Sequence, residues 1–246
     1  MFSRRVIAHR GGAYHAPENT VAAFRRAAAM GAQWIETDVC LLGDGTPILF
    51  HDHTFERTIG PSRKVREAEW AEVRHWRSHL PWDGDPALTA IPRLDEALQE
   101  IHRLGLSLNL ELKIHDGEGD ALVEAALPLL RKHADDGGSL LISSFEHRAL
   151  EQVREQQTDW DLGYLCAGIP PDWQAIADEL RLASFHPEYR SLTAARAQAV
   201  LEAGYELYAY TPNRAEEVTD LRAWGVTGVI TDDVREFADW KEVFHL

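Results

Sequence analysis

His9 and His51 each close a short apolar run, Val6-Ile7-Ala8 and Ile48-Leu49-Phe50. Two further runs carry charge at every second position: Glu36-Thr37-Asp38, and Asn109-Leu110-Glu111-Leu112-Lys113. On a strand, residues two apart share a face and lie roughly 6.5–7 Å apart. Glu36 and Asp38 therefore share one face, and so do Asn109, Glu111 and Lys113. Their neighbours Ile35, Thr37, Val39, Leu110 and Leu112 are mostly apolar and suit packing on the opposite face. Three carboxylates brought together inside a protein repel one another unless a cation sits among them. Oxygen donors without cysteine, and with histidine only nearby, suit Mg²⁺, Ca²⁺ or Mn²⁺ better than zinc. Pairing of the acids with Arg10 and Lys113 in an ionic network is the alternative that needs no metal. The two histidines read as a general acid and general base, neither role falling to a particular ring. Arg10 can grip phosphate oxygens in a bidentate way, and Lys113 adds a point charge. Together these groups point to phosphoryl transfer to water. A Schiff-base lysine at position 113 would leave the histidines and the three acids without a purpose. His15, His53, His75, His79, His102, His115, His133, His147 and His245 read as structural or solvated.

Elements that could bring these residues together follow from the pattern of the chain. Short apolar runs at 6–9, 34–39, 108–114, 140–143, 162–166, 182–186, 206–211 and 228–231 alternate with longer amphipathic stretches. A helix over 20–30 begins behind Asn19, a favoured N-cap, and stops at Gly31. Helices over 94–104, 192–203 and 214–224 stop at Gly105, Gly204 and Gly225 in the same way. Eight strands alternating with helices fit an open doubly wound sheet or a closed (β/α)₈ barrel. The strand count, the length and the charged inner positions favour the α/β barrel, and only Gly11-Gly12 follows the first strand where a dinucleotide fingerprint would stand. Active sites of such barrels lie at the C-terminal ends of the strands. One domain over 1–246 is expected, with 53–90 as an insertion at the barrel mouth carrying a short helix near 67–76. The tryptophans there, Trp70, Trp76 and Trp82, would either cover a substrate or form a small satellite core.

Charge and composition exclude other classes. The chain has 246 residues, 45% hydrophobic and 26% charged, enough apolar surface to fold. Lys+Arg 25 against Asp+Glu 40 gives a net charge of −15, which repels nucleic-acid phosphates and anionic lipid headgroups. No apolar run reaches the roughly 18–20 residues of a membrane span, and no apolar stretch follows Arg4 and Arg5 as a secretory signal requires. Cys40 and Cys166 are distant and lack metal-type spacing, which fits a reduced compartment. A cytoplasmic location, no nucleic-acid partner and no stable membrane association are expected; the oligomeric state is left open.

His9-Arg10-Gly11, Pro17-Glu18-Asn19-Thr20, Glu36-Thr37-Asp38, Asp44-Gly45, His51-Asp52, Arg57-Thr58 and Glu111-Leu112-Lys113 occur in an order and spacing that resemble the glycerophosphodiester phosphodiesterase family. Ile91-Pro92-Arg93-Leu94, Ser143-Ser144-Phe145 and the segment from Gly225 to Asp232 extend the likeness over essentially the whole chain, most like the compact cytoplasmic bacterial members. The resemblance implies a barrel enzyme that hydrolyses glycerophosphodiesters, such as deacylated phospholipids, to glycerol 3-phosphate and an alcohol. It implies Glu36, Asp38 and Glu111 as ligands of one divalent cation, His9 and His51 as the acid/base pair, and Arg10 and Lys113 on the phosphate. Phe145, Phe185 and Tyr210 would line the alcohol or glycerol side. Pro212 before Asn213, and Val234 near the place of a frequent proline, depart from the family pattern. A phospholipase D-like enzyme or cyclising lyase acting on lipid phosphodiesters is the alternative activity, and a phosphate-ligand-binding barrel without turnover is the non-enzymatic one.

Overall fold

Eight parallel strands close on themselves in a computed structural model that describes residues 5–241. They are β1 (Arg5–Ala8), β2 (Trp34–Leu41), β4 (Ser107–Leu112), β5 (Leu140–Ser144), β6 (Asp161–Cys166), β7 (Ser184–Pro187), β8 (Glu206–Tyr210) and β9 (Gly228–Thr231). A short strand β3 (Pro47–Leu49) returns antiparallel along the end of β2. The order β1-β9-β8-β7-β6-β5-β4-β2 is closed by the pairing of β1 with β2. This is a (β/α)₈ barrel with one added strand.

Helices α1 (Val21–Ala29), α3 (Leu94–Arg103), α4 (Gly119–Asp135), α5 (His147–Gln156), α6 (Trp173–Leu180), α7 (Ala194–Glu202) and α8 (Thr219–Ala223) connect the strands. The largest core cluster lies where the outward faces of the strands meet these helices: Ile35, Val39, Leu108, Leu110 and Ile142 meet Phe24, Leu98, Leu127 and Leu150. The inner apolar cluster is far smaller, with Ile7, Leu141, Tyr208 and Ile230 as its buried members. Polar side chains occupy most of the remaining inner positions, so inner and outer faces are told apart by residue type alone.

Three local expectations need correction. Asn19 does not cap α1; Thr20 does, accepting from the Ala23 N–H at 3.2 Å. Asn19 sits in the left-handed region at φ 56 and turns its amide inward instead. The stretch 214–224 is not one helix but a 3-10 turn, Ala215–Val218, followed by α8. In β7, Ser184 and His186 bond to each other on the inner face. Phe185 therefore points outward and is fully buried against Trp173 and Tyr205. It does not line the barrel mouth, because the two-residue period of the strand places it on the helix side.

The segment between β3 and α3 carries the short helix α2 (Trp70–Val73) and two 3-10 turns. It builds its own core from Phe50, Phe55, Val65, Val73 and Ile91, against which Trp70 and Trp76 pack. Trp82 packs on the main core with the Arg26 guanidinium 5.1 Å from its ring. Trp70 and Trp76 are satellite-core residues, Trp82 belongs with the main core, and none of the three lines the cavity at the barrel mouth.

Candidate active site

The pairing of β2 with β4 sets Asp38 opposite Glu111 and Glu36 opposite Asn109. Hydrogen-bonded strands are about 4.8 Å apart, so the register alone gathers three acids. One oxygen from each of Glu36, Asp38 and Glu111 lies within 4.8 Å of the other two. All three residues are buried. Above them opens a cavity of about 240 Å³, lined by His9, Arg10, Glu36, His51, Glu111 and Lys113 on its polar side. Phe145, Leu165, Tyr210 and Ile230 form its apolar wall.

The turn after β1 shapes one side. Arg10, Gly11 and Gly12 all have positive φ, at 50°, 82° and 88°. Gly11 tolerates no side chain, since a Cβ there would fall 2.7 Å from Ala23 Cβ in α1. The left-handed turn costs Arg10 roughly 1–2 kcal/mol, and it aims the residue at both acids of β2. Its backbone N–H donates to Glu36 Oε2 at 2.9 Å, and its guanidinium reaches Glu18 at 2.8 Å and Asp38 at 3.5 Å. Lys113 pairs with Asp38 at 3.3 Å and with Glu111. The ionic contacts with Arg10 and Lys113 are thus present, but they satisfy the three acids unequally.

Asp38 is the satisfied one. Burial pushes its carboxyl up, but Lys113, Arg10 and the Asn19 amide outweigh that and hold it well below the usual range. Burial raises Glu36 far above the usual range, and the neighbouring Asp38 and Glu111 add to the rise. Burial and Asp38 likewise push Glu111 up to about 7, against the pull of Lys113. Glu36 Oε1, both amide atoms of Asn109 and Ser143 Oγ are buried without a hydrogen-bond partner among the described residues. Converging hard oxygen donors, two of them in need of positive charge, fit a divalent cation.

Each histidine is anchored through Nδ1. His9 Nδ1 meets Asp232 Oδ1 at 2.7 Å, while its Nε2 stands 4.0 Å from Glu36. His51 Nδ1 meets Asp52 Oδ1 at 2.6 Å. Asp52 is held in turn by Arg57, whose guanidinium also bonds Glu18 at 2.6 and 2.7 Å, so a charged ladder runs from His51 back to Arg10. Burial, with Arg10 and Lys113 nearby, lowers His51 below the ordinary imidazole value despite the pull of Asp38. Phe145 is 43% exposed at the rim, edge-on to Tyr210 at 6.0 Å and 5.8 Å from Lys113 Nζ.

His9, His51, Glu36, Glu111, Arg10, Lys113, Phe145 and Tyr210 therefore line one cavity, Asp38 is buried beside it with Glu36 and Glu111, and Phe185 lies elsewhere. Sequence reasoning gave no part in the site to Glu18, Asn19, Asp52, Arg57, Asn109, Asn213 or Asp232. Six of these seven lie within or beside motifs quoted above for the family likeness, or in the strand run around Glu111; Asn213 was noted only as following a variant proline.

Fold and site together define a barrel enzyme equipped for phosphoryl chemistry. Residues 9–236 match the glycerophosphoryl diester phosphodiesterase family. A glycerophosphodiester phosphodiesterase of Caldanaerobacter subterraneus is 31% identical over 234 residues, 93% of each chain. A phosphodiesterase of Oleispira antarctica, solved in complex with the product sn-glycerol-3-phosphate, is 31% identical with a TM-score of 0.90, covering 97% of this chain and 96% of that one. The glycerophosphodiester phosphodiesterase of Thermotoga maritima superposes with a TM-score of 0.75 at 25% identity, covering 97% and 99%. This chain belongs to the glycerophosphodiester phosphodiesterase family.

Proposed function

We propose that the protein hydrolyses glycerophosphodiesters to glycerol 3-phosphate and an alcohol, in dependence on one divalent cation of the Mg²⁺, Ca²⁺ or Mn²⁺ kind. The observation that carries this reading is the meeting of the Glu36, Asp38 and Glu111 carboxylates under two anchored imidazoles at one cavity. Glu36, Asp38 and Glu111 would hold the cation, which when bound supplies positive charge to the phosphodiester oxygens. Arg10 and Lys113 bind the phosphate and share the charge that develops on it. With each Nδ1 tied to a carboxylate, Nε2 of His9 and of His51 is the atom left to exchange protons. One ring takes a proton from the nucleophile and the other delivers one to the leaving alkoxide. Phe145 and Tyr210 line the side that takes the alcohol or glycerol group. The likeness to the Oleispira antarctica enzyme with bound sn-glycerol-3-phosphate supports that product.

Assay of glycerol 3-phosphate release from glycerophosphocholine, glycerophosphoethanolamine and glycerophosphoglycerol, with and without chelator, tests the proposal. Release that stops on chelation and returns with Mg²⁺, Ca²⁺ or Mn²⁺ is expected. Full activity in chelator would contradict the carboxylate site, and action on micellar phosphatidylcholine alone would favour the lipid-directed alternative.

A further inference from the structure

Asp232 ties Nδ1 of His9, and Asn213 stands behind Asp232. We propose that Asn213 is a positioning residue that acts through Asp232 to keep the proton of His9 on Nδ1, with Nε2 bare toward the cavity. The inference rests on the functional reading above for its catalytic consequence, though not for the tautomer itself.

One group behind His9 has a polarity that cannot change. The backbone N–H of Asp232 donates to Asn213 Oδ1 at 2.8 Å. A backbone N–H is only a donor, so that edge of the amide must be oxygen. Thr231 Oγ1 donates to the same oxygen at 3.1 Å. The other edge is then NH₂, and it donates to Asp232 Oδ2 at 2.9 Å and to Tyr14 Oη at 3.2 Å. Every donor and acceptor position of the amide is in use. Asp232 is partly buried, which raises its carboxyl, but the bonds from His9 and Asn213 hold it below the usual range. An ionised carboxylate only accepts, so His9 Nδ1, 2.7 Å from Oδ1, must donate. The loop that carries Asn213 is itself pinned. Asn213 N donates to Glu217 Oε2 at 2.8 Å, and Tyr189 Oη donates to Glu217 Oε1 at 2.8 Å. Four elements of the rim thus converge on the orientation of one ring.

The chain of donors makes a sharp prediction. In Asp232→Asn, the NH₂ of Asn213 still requires an acceptor and takes the new carbonyl oxygen. The new NH₂ then faces His9 Nδ1 and drives the ring proton to Nε2. In the reciprocal exchange Asp232→Asn/Asn213→Asp, the new carboxylate at 213 accepts from the backbone N–H, from Thr231 and from the new amide at 232. The carbonyl oxygen at 232 returns to His9 Nδ1, and the proton returns with it.

Nitrogen-15 spectra of histidine-labelled protein at about pH 8, where an ordinary imidazole is neutral, read the tautomer without reference to activity. His9→Asn identifies the signal, and turnover of glycerophosphocholine and thermal melting are measured on the same samples. Wild type is expected to carry the proton on Nδ1. Asp232→Asn should carry it on Nε2 and lose about 10²- to 10⁴-fold in kcat, the range of a lost proton-transfer group. The double exchange should restore the Nδ1 proton and at least about tenfold of kcat, a rescue that a merely structural role would not give. A proton on Nε2 in the wild type overturns the proposal, whether or not any variant folds. So does a folded double exchange that recovers neither tautomer nor rate. If the tautomers follow this pattern while no glycerophosphodiester is turned over, the positioning stands and the functional reading fails.

Discussion

Both ends of the barrel bury charge, and they treat it in opposite ways. At the N-terminal end, the first residues of β1, β2 and β8 meet. Arg5 donates to Glu206 at 3.2 Å and to Tyr208 at 2.5 Å, Tyr208 bonds Glu206, and the guanidinium lies 4.8 Å from the Trp34 ring. One cation, one carboxylate and one hydroxyl satisfy each other under an aromatic plate. At the C-terminal end, three carboxylates share Lys113 and the edge of Arg10, itself drawn off by Glu18. Two of the three acids lie above the usual range, and Glu36 keeps a buried oxygen without a partner. Paired charge holds a fold together; charge left in surplus marks the place where a ligand completes the structure.

The contrast breaks first at the histidines, where the expected effect is largest. His9→Ala and His51→Ala should each lower kcat by about 10²- to 10⁴-fold with little change in melting temperature. Near-normal turnover in both would remove them from the chemistry. At the other pole the signs exchange. Arg5→Met removes the guanidinium that donates to Glu206 and Tyr208, leaving the buried carboxylate without its cation, and should lower stability by about 1–3 kcal/mol in denaturant titration. Its kcat per folded molecule should stay at the wild-type level. A loss of kcat there, without a loss of stability, would erase the distinction between the two ends.

Proton uptake sharpens the same point. Glu36 and Glu111 bind protons more tightly folded than unfolded. Metal-free protein should therefore lose stability as pH rises from about 4.5 towards 7, where these groups charge in the unfolded chain first. A divalent cation needs the carboxylates ionised, so its binding near pH 6 should release protons, and the share released by Glu111 should shrink as pH climbs past about 7. Calorimetry in buffers of different ionisation enthalpy measures this; equal heats in all buffers would mean that the acids are already ionised. Glu36→Gln gives the smallest effect on folding. It removes an acid held above the usual range, so metal-free melting should change by less than about 1 kcal/mol, while stabilisation by added Mg²⁺ disappears.

Residues close together in the chain were the legible ones. The two-residue period placed Glu36 with Asp38 and Asn109 with Glu111 on one face, and apolar neighbours declared the other. The family resemblance misplaced Phe185, because β7 hides polar Ser184 and His186 inside the barrel and turns its aromatic outward. Asn19 carries a helix-cap signal, but its amide bonds Asp38 and Thr37, and Thr20 does the capping. The supports of the histidines differ in kind. Asp52 adjoins His51, but Asp232 reaches His9 across 223 positions, and Arg57 reaches Glu18 across 39. No local spacing announces such pairs; only barrel closure and the insertion bring them together. The tryptophans of the insertion were ambiguous for a related reason, since their partners Phe55 and Val65 lie in the same irregular segment.

A titration of metal-free protein with Mn²⁺, followed by electron paramagnetic resonance, addresses the surplus of charge at the barrel mouth most directly. One tightly held ion per chain is expected, weakened at least about tenfold by Glu36→Gln and unchanged by Arg5→Met. Free Mn²⁺ signal throughout the titration, or equal binding in wild type and Glu36→Gln, would contradict a cation site built from Glu36, Asp38 and Glu111.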